Sequence, residues 1–184
     1  MARFYTGKGD DGKTNLMGNF RVEKCDNLVE AIGEIDELNS VIGVAITNMS
    51  DDHLAKLLQG LQNNLFIIGA ELAASMDPQA SKNVLKSRIT KIKIEELEKN
   101  VEELSATLPE LKKFVLPGGS IGSSYLHLAR SVCRRAERSV VAAKSEVKIS
   151  EELLQYLNRL SSFLFVAALH LNKKEGIDEM NPAY

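Results

Sequence analysis

Cysteine occurs twice in this chain and histidine three times, and each scarcity closes a class of function. Cys25 and Cys133 lie far apart and match no C-x-x-C spacing, which argues against a disulfide framework or a cysteine zinc or redox site and suits a reducing cytosol. His53, His127 and His170 have no glutamate three residues before them, which removes the Glu-x-x-His pattern of di-iron carboxylate bundles. There is no H-E-x-x-H zinc helix either. No apolar run approaches the length that spans a bilayer, and the N-terminus lacks the apolar core of a signal peptide, so the expectation is a soluble, cytoplasmic protein without a membrane partner. Neither charge dominates. Lys plus Arg number 23 against 25 Asp plus Glu, a net charge of −2, so nucleic acid is not an expected partner and any anion site must be local.

Proline is also scarce, at 78, 109, 117 and 182, and between the prolines run long segments rich in Leu, Ala, Glu and Lys with helical periodicity. The sequence therefore predicts an all-α fold, and its 184 residues predict one domain. Leu28, Ala31, Ile32, Ile35, Leu38, Ile42 and Ala45 draw one apolar stripe down a helix over 26–48. A second helix over 51–75 follows a "SDD" start. After the polar stretch "MDPQASKN" come a charged third helix over 86–107, the loop "LPELKKFVLPGG", a fourth helix over 120–145 and a fifth over 150–172, with Ser120 and Ser150 at their starts. Long rods with short connections favour an antiparallel bundle, and residues 173–184 read as a polar tail.

Three groups of polar residues stand out. Gly7 to Thr14, "GKGDDGKT", spells a Walker P-loop, yet only "MARFYT" precedes it and Gly18 closely follows, so the required strand and helix are missing. What remains is either a frayed terminus or a flexible segment whose backbone can approach an anion. On the first helix Gly33, Asp36, Ser40 and Gly43 form a small-residue stripe, either a solvated face or a seam for a neighbouring helix, in which Asp36 would want a cation. On the fourth, Arg130, Arg134 and Arg138 fall four apart beside Arg135 and Glu137. They are either a solvated face or a polyphosphate site. Asn158 and Arg159 interrupt an apolar run on the fifth helix and suggest a recognition or capping partner.

Taken together, "TGKGDDGKT" at 6–14, "RVEK" at 21–24, "GEIDELNS" at 33–40, "FVLPGGS" at 114–120, "RRAER" at 134–138 and "LNRLS" at 157–161 resemble, in order and across most of the chain, the PduO-type ATP:cob(I)alamin adenosyltransferases, or corrinoid adenosyltransferases. The resemblance implies an antiparallel five-helix bundle, ferritin-like in appearance and assembled as a homotrimer with active sites between subunits. Residues 1–25 would be the ATP-binding segment and 26–172 the bundle. Thr6, Gly7, Gly9, Asp10, Gly12, Thr14 and Lys24 would bind ATP, joined by Arg134, Glu137, Arg138 and Asn158. Asp36, Phe114 and Arg134 would be the catalytic set: Asp36 would pair with Arg134 across the subunit interface, and Phe114 would lie under the corrin and keep the lower axial base from cobalt. Phe165 would also line the corrin side.

The implied reaction is attack of cob(I)alamin on the 5′ carbon of ATP, giving adenosylcobalamin and triphosphate, with Mg²⁺ assisting and no resident metal site. A cobalamin reductase and a B12-dependent enzyme are the implied partners. The chain departs from the family pattern at Ser162, where an aspartate is usual, and in having no tryptophan, in place of which the third helix offers aliphatic residues such as Ile94. Two readings of other classes stand beside this one: a helical ATP-binding or regulatory protein without the corrin reaction, and a purely structural bundle.

Overall fold

The computed structural model describes residues 4–84 and 87–183. Two short strands, β1 (Lys13–Asn15) and β2 (Arg21–Glu23), precede α1 (Asn27–Thr47), α2 (Asp52–Ala73), the short α3 (Pro78–Val84), α4 (Lys91–Ser105), α5 (Ile121–Ala143) and α6 (Glu151–Lys174). The protein is thus mostly helical, as its periodicity predicts. Leu28, Ala31, Ile35, Leu38, Ile42 and Ala45 of α1 are all buried, so the apolar stripe read from sequence is the core face. It packs against equivalent stripes on α2, α4, α5 and α6 in one apolar cluster.

Side-chain links fix the direction of the long helices. Asn27 and Glu146, then Glu34 and Arg135, tie the start of α1 to the end of α5, whereas Gly122 at the start of α5 lies against Asn48 past the end of α1. An Ala at Gly122 would place its Cβ 2.7 Å from the Asn48 carbonyl oxygen. Asn39 and Gln62 exchange amide-to-carbonyl hydrogen bonds between α1 and α2. Asp51 with Lys174, Asn64 with Tyr156 and Glu71 with Ser150 run α2 against α6. Each long helix therefore reverses the one before it, and α4 and α6 become parallel neighbours, joined by Arg159–Glu98 near one end and His170–Thr107 near the other.

Asp51 caps α2 by accepting hydrogen bonds from the His53 and Leu54 amides, at 3.1 and 3.0 Å, and Ser120 and Ser150 cap α5 and α6 in the same way. Two boundaries differ from the sequence reading. The stretch "MDPQASKN" contains a sixth helix, α3, started by Asp77 accepting from the Gln79 amide at 2.8 Å with Pro78 in the first turn. It buries no residue, so it leaves no periodic apolar signal. The expected start of the third helix at 86 lies outside the described residues; α4 begins only at Lys91, because Thr90 is extended and the preceding Ile89 anchors in the core.

Among the described residues, no helix is long and apolar enough to cross a membrane.

Candidate functional site

The glycine-rich segment folds on itself. Arg21 donates to Asp11 at 2.6 Å and to the Lys8 carbonyl at 3.2 Å, and β1 pairs antiparallel with β2 so that Lys13 faces Glu23, Thr14 faces Val22 and Asn15 faces Arg21. The Walker spelling is overturned here: the strand follows the glycines instead of leading into them, and no helix leaves at Thr14. Lys13 is held by Glu23 at 2.9 Å. Lys24 instead lies over Gly9, where a Cβ would sit 3.2 Å from its Nζ. Gly7 and Gly12 take positive φ, +69° and +82°, which lets the segment turn twice while the Lys24 amide donates to the Gly12 carbonyl at 2.9 Å. Thr6 accepts from the Lys8 amide, and the Asp10 amide donates to the Gly7 carbonyl. The segment is a glycine-lined clasp carrying an ammonium over exposed backbone.

The second group forms on α5 and α6. Arg134, Glu137 and Arg138 share one face of α5, and Asn158 of α6 donates to Glu137 at 3.3 Å. Arg159 donates to the Asn158 side-chain Oδ1 and to Glu98, so the polar pair that interrupts the α6 stripe is held from the α4 side. Arg135 leaves this cluster: it pairs with buried Glu34 and with Glu37 on α1. These two carboxylates hold the guanidinium's pKa above its ordinary value. The run "RRAER" therefore divides between a cation paired to α1, Arg135, and a separate candidate face, Arg134 and Arg138.

Further along the same helices, a cavity of about 760 Å³ opens between α5, α6 and the irregular segment 111–115. Its walls include Phe114, Arg130, Arg134, Ser162 and Phe165. Phe114 is 78 % exposed and unsupported by the core. Arg130 lies 6.0 Å from the Phe165 ring centroid, and its Nε is buried without a partner. His127 stacks edge-on against the same ring, with neither ring nitrogen partnered among the described residues; burial, reinforced by Arg130, lowers its pKa and so favours the neutral imidazole. Ile94 is 3 % exposed in the core, so it does not stand in for a corrin-side tryptophan.

One chain does not assemble every expected residue. No hydrogen bond or ion pair among the described residues links residues 4–24 to Arg134, Glu137, Arg138 or Asn158. Asp36 sits on the opposite side, exposed in a shallow hollow of about 390 Å³ with Ser40, Gln59 and Asn63, beside a Phe66 ring that is 70 % exposed. It has no ion pair among the described residues. Sequence reasoning missed the hold of Asp11 and Arg21 on the clasp and the buried His127 that lies with Arg130 against Phe165. Arg21, eight residues after Lys13, carries a signal only once the hairpin is assumed.

The helical scaffold presents a glycine-lined clasp and an arginine face leading into an aromatic cleft, a combination suited to a large, partly anionic small molecule. The family follows from comparison: a profile of the cobalamin adenosyltransferases matches residues 4–171, and the chain belongs to that family. It is 42 % identical over 183 residues to a corrinoid adenosyltransferase of Bacillus subtilis, spanning 97 % of this chain and 91 % of that one. It is 40 % identical to another from Citrobacter freundii, spanning 91 % and 94 %. A variant of a PduO-type ATP:corrinoid adenosyltransferase from Lactobacillus reuteri, complexed with cobalamin and ATP, superposes with a TM-score of 0.91 at 34 % identity, covering 99 % of this chain and all of that one.

Proposed function

We propose that this chain transfers the 5′-deoxyadenosyl group of ATP to cob(I)alamin, giving adenosylcobalamin and triphosphate. The observation that carries the reading is the continuity of the arginine face with the aromatic cleft, Arg134 belonging to both. A polyphosphate and a corrin ring are then held end to end.

The bond changes balance without a protein nucleophile. Co(I) supplies an electron pair to the 5′ carbon, the C5′–O bond breaks, and triphosphate leaves with that bond's pair; the metal ends formally as Co(III). The chain's task is position and charge. Lys24 and the amides around Gly7, Gly9 and Gly12, with Thr6, Asp10 and Thr14, cradle the phosphates. Arg134 and Arg138 neutralise the leaving group, and Glu137 with Asn158 sets the nucleoside end. Phe114 and Phe165 supply an apolar floor for the corrin that offers cobalt no axial ligand. Among the described residues, no three His, Cys, Asp or Glu side chains gather to hold a metal. A Mg²⁺ ion would therefore be held chiefly by triphosphate oxygens, its ordinary mode with nucleotides.

The clasp and the arginine face of one chain do not meet, which favours a single-domain protomer acting in a homotrimer, five long helices each, with the clasp of one subunit closing on the α5 face of the next. The stripe of Gly33, Asp36 and Ser40, exposed, with the half-buried Gly43 at its end, is then the seam, and Asp36 gains a guanidinium of a neighbouring subunit, Arg134 in the arrangement the resemblance implies. A cytoplasmic setting, a reductase delivering the electron and a B12-dependent acceptor enzyme complete the proposal. The test is anaerobic: chemically reduced cob(I)alamin, Mg-ATP and the protein should yield an alkylcobalamin spectrum that light abolishes. Unchanged cob(I)alamin beside bound ATP would favour the nucleotide-binding alternative.

A further inference from the structure

We infer that residues 177–181 are a strap that positions Phe114, with Asn181 and Asn172 as its positioning residues; this rests on the transferase reading for its consequence. Residues 109–117 contain neither helix nor strand. Among the described residues, their backbone makes two hydrogen bonds, and both end on the strap. The Leu116 amide donates to the Met180 carbonyl at 2.7 Å, and the Asn181 Nδ2 donates to the Phe114 carbonyl at 2.8 Å. Packing does not do the same work. The cleft of about 760 Å³ lies on one side of the segment and a second cavity of about 780 Å³ on the other, walled by Leu108, Leu111, Val115, Leu169 and Ile177.

The strap is itself anchored at Asn172, which is 1 % exposed on the last turns of α6. Its carbonyl accepts from the Ile177 amide at 2.9 Å, and its Nδ2 donates to Glu179 at 3.0 Å and to the Gly118 carbonyl at 3.1 Å. Its Oδ1 accepts from the Ser120 amide at 3.0 Å. One buried amide thus ties the strap's beginning to the exit of the loop it holds. Gly119, at φ +106°, has no room for a Cβ because the Asn172 amide fills that space.

The test compares Asn181→Asp, which keeps size and removes the donor, with Met180→Ala, which keeps the carbonyl the strap uses. In the protein alone, hydrogen exchange of the Leu116 amide should quicken about tenfold in Asn181→Asp and stay unchanged in Met180→Ala. With ATP and cob(II)alamin, Asn181→Asp should lower the four-coordinate fraction seen by electron paramagnetic resonance and raise the corrinoid KM several-fold. Its KM for ATP should stay within about twofold. Equal exchange rates in Asn181→Asp and the unsubstituted protein, or unchanged cobalt coordination, would overturn the inference. Absence of Co–C bond formation in the unsubstituted protein would instead defeat the transferase reading, and the exchange rates would still decide whether the strap holds the segment.

Discussion

Asp51 joins two helices through a single carboxylate. It caps α2 and receives Lys174 at 2.9 Å and His170 at 3.3 Å from α6. Burial alone would raise its pKa, but Lys174, the Leu54 amide and His170 outweigh that and lower it from 3.8 to about 2. The native state therefore holds fewer protons than the unfolded chain between those values, and stability rises with pH there. Asp51→Asn should cost about 2 kcal/mol in urea unfolding at pH 7, and the difference should shrink as the pH is lowered from 4 towards 2. A gap that stays constant over that range would show that the cap, and not the charge, matters. The cap was legible from "SDD"; the two α6 partners were not, because 119 residues separate His170 from Asp51.

At the scale of elements, the N-terminal hairpin gives different surroundings to the lysine of the Walker spelling, Lys13, and the lysine of the family resemblance, Lys24. Lys13 spends its charge on Glu23, whereas Lys24 projects over the glycine backbone. Lys24→Ala should weaken ATP binding about ten- to a hundredfold by calorimetry, and Lys13→Ala less than about threefold. The reverse order would restore the Walker reading. The helices themselves were legible because each long one repeats its apolar residues at three and four, and α2, α5 and α6 start at a capping side chain. The hairpin was not, since three-residue strands have no period to read. Within α5 the same limit applies: Arg134 and Arg135 are adjacent letters, yet the 100° between successive helical positions sends one to the cleft and the other to Glu34.

For the whole molecule, the question is what covers the stripe through Gly33 and Asp36. A Cβ at Gly33 meets nothing within 4 Å in its own chain, so Gly33→Trp should fold with an unchanged circular dichroism spectrum. If the stripe is the seam, sedimentation velocity will show the unsubstituted protein at three times the protomer mass of 20.3 kDa and the variant at a lower mass. Equal masses would remove the stripe from the interface. Sequence alone marked Asp36 as wanting a cation but could not show that none among the described residues of its own chain supplies one.

The strap also has a consequence in time. Phe114 is made 67 residues before Asn181. At typical rates of synthesis that is on the order of several seconds. Throughout that interval α5 can already pair with α1, while the wall of the cleft still lacks its only backbone partners among the described residues. The segment that carries Phe114 is thus among the last parts of the chain to be held in place as it leaves the ribosome.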